Sequence, residues 1–273
     1  MHARRHRQIA FFVTGVCAAL GFMAGCAGQS GASEDGTFFG PSARLGDGTV
    51  KTYATLDKEG HPTEVGVRMT AAALDGLPST GDGPPLALML ALPDQAAATA
   101  FDHVMLDWNP QGHDPIELFG KPHFDIHFNM VDMATMQAIN PADPNYAAKA
   151  ERAPAPKYVP QDYAIPPTPP IAAQAAPQMG VHWVDTSDTS LLPGTYDFKQ
   201  IIINGTWDGR YTFIEPMITR DGLLTRPRIQ QTLKQPQAYH ESGYYPTTYA
   251  THVDDRTNEY IISLGSLTMR TAS

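Results

Sequence analysis

Residues 122–130 read Pro-His-Phe-Asp-Ile-His-Phe-Asn-Met. In an extended chain His123, Asp125, His127 and Asn129 fall on one side and Phe124, Ile126, Phe128 and Met130 on the other. Imidazoles and a carboxylate at such spacing are donors for a nitrogen/oxygen metal shell, or an acid and a base. Strand geometry limits that chemistry. Same-face neighbours two residues apart lie about 6.7 Å from one another, whereas the Cα atoms of His123 and His127 would be about 13 Å apart and could not share an ion without a bend. In a helix the two histidines would be neighbours at about 6 Å, but the apolar residues would then spread around the cylinder, so a strand is expected. The competing account is a polar sheet face turned to water.

Two distant segments weigh against that account. Met179-Gly-Val-His-Trp-Val-Asp places His182 in an apolar setting, where a lone histidine is otherwise a satisfied core residue. In Tyr211-Thr-Phe-Ile-Glu-Pro-Met, alternation puts Glu215 on one face with Tyr211, Phe213 and Met217. Burial of that face buries a carboxylate, which then needs an arginine, a metal ion or a raised pKa. Four of the ten histidines, His103, His113, His123 and His127, fall within 25 residues, among Asp102, Asp107, Asp114, Glu117 and Asp125. His113 lies in a Pro/Gly-dictated turn suited to a pocket mouth, and His103 suits the end of a helix. Tyr239-His-Glu-Ser-Gly-Tyr-Tyr-Pro is expected to be an aromatic loop packed on the body, where it could also wall a pocket. The chain has no Gly-rich phosphate loop, no Gly-x-Ser-x-Gly elbow and no His-Glu-x-x-His motif.

The elements that must hold these residues follow from the rest of the 273-residue chain. Arg4, Arg5 and Arg7, the apolar stretch Ile9 to Met23, and Ala24-Gly25 before Cys26 read as a lipoprotein signal over residues 1–25 with Cys26 as the lipidation point. Cys17 and Cys26 are the only cysteines, so disulfides and thiolate metal sites are excluded from the folded part. Nineteen basic against 28 acidic residues give a net charge of −9, and loss of three arginines with the signal leaves −12. That surface excludes a nucleic-acid partner and repels anionic headgroups, so membrane attachment is assigned to acyl chains on Cys26. Residues 26–48 are expected to be a tether and 49–273 a single domain.

Val50 to Leu56 and Glu64 to Thr70 read as a hairpin, as do Tyr196 to Ile203 and Tyr211 to Ile218 about an Asp-Gly turn. Leu86 to Leu92 reads as a strand buried on both faces, Asp94 to Phe101 as a helix, Asp132 as the cap of a short helix, and Glu259 to Leu267 as the last strand. Residues 152–177 carry eight prolines in 26 positions and form a proline-rich arm that lies across the sheet or reaches a second copy in a homo-oligomer.

His103 to Pro110 with Gly112-His113, then Pro122 to Phe128, Met179 to Trp183 and Phe213 to Met217, taken in that order, resemble a bacterial domain-of-unknown-function family. Its named relative is a sigma-E-controlled exported protein of Thermus thermophilus. The resemblance spans roughly residues 50 to 270 and implies an exported or lipid-anchored α+β protein without naming a reaction. The expected fold is α+β, a mostly antiparallel sheet with a few short helices.

The expected function is that of a cell-envelope protein whose pocket holds zinc and binds or hydrolyses a small molecule. Its metal ligands would be His182, Glu215 and one or both of His123 and His127, with Asp125 as orienter or catalytic base and His103 and His113 as pocket residues. The alternative is a metal-free binding or assembly module in which the same residues form a structural hydrogen-bond network.

Overall fold

A computed structural model of the chain describes residues 36–79, 86–188 and 196–273. The expected signal, Cys26 and the first part of the tether lie outside the described residues. Residues 37–45, assigned to the tether from sequence, are β1 (Thr37–Leu45), antiparallel to β2 (Gly48–Leu56). The hairpin predicted next is present as β2 and β3 (Pro62–Thr70). They belong to a six-stranded antiparallel sheet in the order β1-β2-β3-β14-β13-β11, with β11 (Ile229–Thr232), β13 (Thr248–Asp254) and β14 (Glu259–Gly265).

The second sheet has seven strands in the order β4-β5-β6-β10-β9-β8-β7. These are β4 (Leu86–Ala91), β5 (His103–Asn109), β6 (His123–Asn129), β7 (Tyr163–Ala164), β8 (Val181–Asp185), β9 (Gln200–Trp207) and β10 (Arg210–Thr219). A two-stranded ribbon, β12 (Gly243–Tyr245) and β15 (Thr268–Arg270), completes the strands. Helices are short: α1 (Ile116–Phe119), α2 (Met133–Gln137), α3 (Tyr146–Ala150), α4 (Ile171–Gln174) and α5 (Arg220–Leu224). The fold is thus mostly antiparallel sheet with a few short helices. None of the described helices is long and apolar enough to cross a membrane.

One face of each sheet enters a common core. Val104, Leu106, Trp108, Phe124, Ile126 and Phe128 of β5 and β6 form one buried cluster with Val65, Val67 and Met69 of β3 and Ile262 and Leu264 of β14. Each such side chain contributes about 1.5–3 kcal/mol by leaving water. Alternation in β6 therefore commits its odd-numbered residues to the far side of the sheet. There Phe119 and Phe198, with Ile201, Ile203, Phe213 and Met217 of the neighbouring strands, form a second buried cluster, and every residue of β6 is buried.

Several expectations are corrected. β4 is an edge strand with one face exposed: among the described residues its odd-numbered positions Ala87, Met89 and Ala91 are exposed. Asp94 to Phe101 is only a 3₁₀ turn at Asp94–Ala96, because the backbone of Ala98 and Ala100 is taken by hydrogen bonds to Tyr244. His103 opens β5 rather than closing a helix.

The proline-rich segment, expected to lie across the sheet or reach a second copy, packs on its own chain. It contains the edge strand β7 and α4, and its Ile165, Ile171, Ala172 and Ala175 pack on Ile139, Ala150, Val181 and Trp207 of the same chain. The helix cap is as predicted, Asp132 accepting from Thr135 N at 2.7 Å.

Candidate metal centre

On the far face, β-sheet register sets β6 between β5 and β10. Asn109 and Asp107 of β5 stand opposite His123 and Asp125, and Met217 of β10 stands opposite Asp125. The polar residues of β5 follow the same period of two, His103, Asp107 and Asn109 alternating with Val104, Leu106 and Trp108. That period is legible in the sequence, but it does not show that Asp107 and Asn109 reach the residues of β6. Both touch the site: Asn109 Nδ2 donates to Asp125 Oδ2 at 2.7 Å, and Asp107 Oδ2 lies 3.5 Å from His127 Nδ1.

Two trios result, His113–His123–Asp125 and His127–His182–Glu215, each with its ligand-type atoms within 4.8 Å of one another. The partition obeys the strand spacing that keeps His123 and His127 apart. His113 is thus a full member of one trio rather than a pocket rim. His103 joins neither; its Nδ1 meets Asp102 at 2.8 Å and its Nε2 the sulfur of Met136 at 3.4 Å.

The first trio is built by a turn. Gly112 takes φ 70°, and a Cβ there would lie 2.1 Å from Phe119 O, so only glycine fits where the chain folds back over α1. His113 is thereby brought beside Phe119 and within 3.3 Å of Asp125 Oδ2. His113 Nδ1 faces Asp114 O at 2.9 Å and His123 Nδ1 faces Lys121 O at 2.6 Å. A carbonyl can only accept, so each Nδ1 carries the proton and each Nε2, lone pair outward in the neutral ring, is turned toward Asp125. His123 Nε2 is 3.0 Å from Asp125 Oδ1, but both atoms lack an aligned hydrogen bond.

The second trio is rooted in strands alone. Phe213 packs on His127 and His182 with ring centroids 4.7 and 5.2 Å away. Gly205 makes that possible: a Cβ on it would lie 2.1 Å from the Phe213 ring. His127 Nε2 is 3.4 Å from Glu215 Oε1 and His182 Nε2 3.6 Å from Glu215 Oε2. Both ring nitrogens of His127, and Glu215 Oε2, are buried without a hydrogen-bond partner. Glu215 does share its face with Phe213 and Met217, but not with Tyr211. A bulge between Tyr211 and Phe213 turns Tyr211 to the opposite face, where it pairs with Thr206.

The charges are unevenly distributed. Burial alone would raise the Asp125 carboxyl, yet the imidazoles of His113 and His123 hold it well below the usual carboxylate range. Burial opposes ionisation of His113, but Asp125 lifts it to about 9. His127 is likewise lifted to about 9, against burial, by Glu215 and Asp107. Burial pushes Glu215 up to about 8 despite the nearby charge of His127. His182 moves the other way, to about 3, through burial and the His127 charge. Two imidazoles and one carboxylate per trio suit a borderline cation such as zinc, which accepts three nitrogen and oxygen ligands and leaves a position open.

Residues 57–108, from the β2–β3 turn to Trp108 of β5, match the family described as TTHB210-like, hypothetical protein TTHB210. The match ends within the first of the four sequence blocks, covering His103 to Trp108; the rest of that block and the other three lie beyond it. No curated protein and no solved structure gave a match.

Proposed function

Starting from a chain that carries the TTHB210-like signature, a family described only as hypothetical, we propose an exported, lipid-anchored envelope protein that binds divalent zinc at the two trios and uses it to hold or hydrolyse a small molecule. One observation carries the reading: buried imidazole nitrogens and carboxylate oxygens from three strands converge without hydrogen-bonding one another. Buried polar groups are ordinarily paired, and a cation in each trio would satisfy the nitrogen and oxygen atoms turned toward it.

His127, His182 and Glu215 would be one ligand set, and His113, His123 and Asp125 the other. The backbone carbonyls of Asp114 and Lys121 fix His113 and His123 through Nδ1, the outer contact that orients a ligating imidazole. A bound zinc supplies Lewis acidity and lowers the pKa of a coordinated water. Lipidation at Cys26 accounts for membrane attachment by an acidic chain; labelling cells with a fatty-acid analogue should mark the protein and spare the Cys26→Ala variant.

Elemental analysis of protein purified without an affinity tag tests the metal. Zinc is expected, with His182→Ala losing the ion of its trio and His113→Ala that of the other, both with unchanged circular dichroism. Zinc at one hundred times its Kd should stabilise chelator-stripped protein by about 2.7 kcal/mol for each site filled. Absence of metal, with no stabilisation by added zinc, would leave the residues as a structural network.

A further inference from the structure

A cavity of about 370 Å³ lies on the opposite face of β9 and β10 from the two trios. It is lined by Ile202, Tyr211 and Ile214 of the sheet, Tyr163 of the proline-rich segment, and Tyr239 and Tyr245 of the chain between β11 and β15. Its volume falls at the lower end of small-molecule sites, which combine apolar and aromatic walls with a few placed polar groups.

The charged groups around it are already matched within the chain. Arg210 pairs with Glu241. Lys234 Nζ is 2.8 Å from both Asp162 and Asp185. The Asp132 carboxylate caps α2. Three of the lining phenols are also engaged: Tyr163 Oη donates to Ile202 O at 3.2 Å, Tyr239 Oη to Gln235 Oε1 at 2.9 Å, and Tyr245 Oη to Glu241 O at 3.0 Å.

Two polar atoms are different. Tyr211 Oη and His240 Nε2 are buried, belong to lining residues, and have no hydrogen-bond partner. A buried hydroxyl left unpaired is unfavourable to the folded chain, and a ligand oxygen would satisfy it. The bulge at Tyr211/Phe213 is what delivers this phenol here rather than to the metal face.

We infer that the cavity binds a small uncharged ring compound bearing hydroxyl or carbonyl groups, the ring lying against the tyrosines and a ligand oxygen accepting the Tyr211 proton. Matched charges leave nothing to select an ion, and the aromatic lining supplies flat apolar surface. The site is separate from the trios and does not depend on metal.

Ligand-observed NMR on the purified protein tests this, with phenol, cyclohexanol, glucose and N-acetylglucosamine as uncharged probes and benzoate and benzylamine as charged ones. At least one uncharged probe should bind saturably and the charged ones should not. Tyr211→Phe should weaken that probe about three- to tenfold, the worth of one hydrogen bond, while leaving the thermal midpoint unchanged or higher. Ile214→Trp, which fills the cavity, should abolish binding; if it does not fold, Tyr211→Phe decides. Binding of no uncharged probe, equal binding of the charged ones, or an affinity indifferent to Tyr211→Phe would overturn the inference.

Discussion

The two trios share a strand, a face and a composition, yet they are built differently. His113–His123–Asp125 depends on a turn: His113 arrives from the loop before α1, its side chain is 38% exposed, and Asp125 keeps Asn109 as a further partner. His127–His182–Glu215 comes entirely from β6, β8 and β10, and its central pair is 1% and 2% exposed. Residues on strands are held more precisely than residues on loops, and buried charges tolerate loss of a partner poorly. The first trio is therefore the adjustable one and the second the rigid one.

The sharpest separation should come from single deletions. His127→Ala leaves Glu215 buried without its principal cation and should cost about 3–5 kcal/mol in denaturant unfolding. His113→Ala, which removes a partly exposed ring and leaves Asp125 its other contacts, should cost under about 1 kcal/mol. Equal losses would erase the contrast.

Gly205→Ala should follow in size, at about 1–3 kcal/mol, because the added Cβ meets the Phe213 ring and must displace it against His127 and His182. Titration of the variant with zinc should show the strand-built trio weakened and the turn-built trio unaffected. Loss of both together would mean that the sites are one unit.

Smaller, but diagnostic, is the response to pH. In chelator-stripped protein the raised His113 and His127 stabilise the fold fully below pH 6.5 and lose that contribution as pH rises through about 9. Glu215, raised to about 8, adds to the same decline between its ordinary value near 4.5 and 8, because the folded state holds the extra proton. His182 and Asp125 act at the acid end, where their depressed values remove stability as pH falls. Thermal midpoints of the stripped protein should thus fall from pH 6.5 to 9, while zinc affinity rises over the same interval as the cation replaces protons. A midpoint that climbs through this range would contradict the charge assignments.

How much of this could be read from residues alone differs from element to element. The period of two in His123 to Asn129 reveals both the strand and the segregation of its faces, because side-chain direction in a strand is a matter of parity. The same arithmetic foretells that His123 and His127 part company. It does not reveal which distant strands flank them, so the pairing of His127 with His182 and Glu215 rested on chemistry rather than pattern. The approach of His113 to Asp125 is not legible in the pattern, because it depends on the φ of Gly112, a property of the turn. Parity fails outright at Tyr211, where one extra residue in β10 reverses the side without altering the composition. The proline-rich stretch was recognisable as irregular, but its folding onto Val181 and Trp207 depends on apolar residues scattered too widely to show a period.

That extra residue in β10 has a consequence for anyone comparing or recombining sequences of this kind. Upstream and downstream of Thr212 the hairpin obeys opposite in/out assignments, so a one-position gap placed anywhere else along the strand would put Tyr211 and Glu215 on one face, sending either the phenol toward the histidines or the carboxylate toward the sandwich interior. The number of residues between Gly209 and Glu215 thus decides which face Tyr211 takes, whatever residues stand in between.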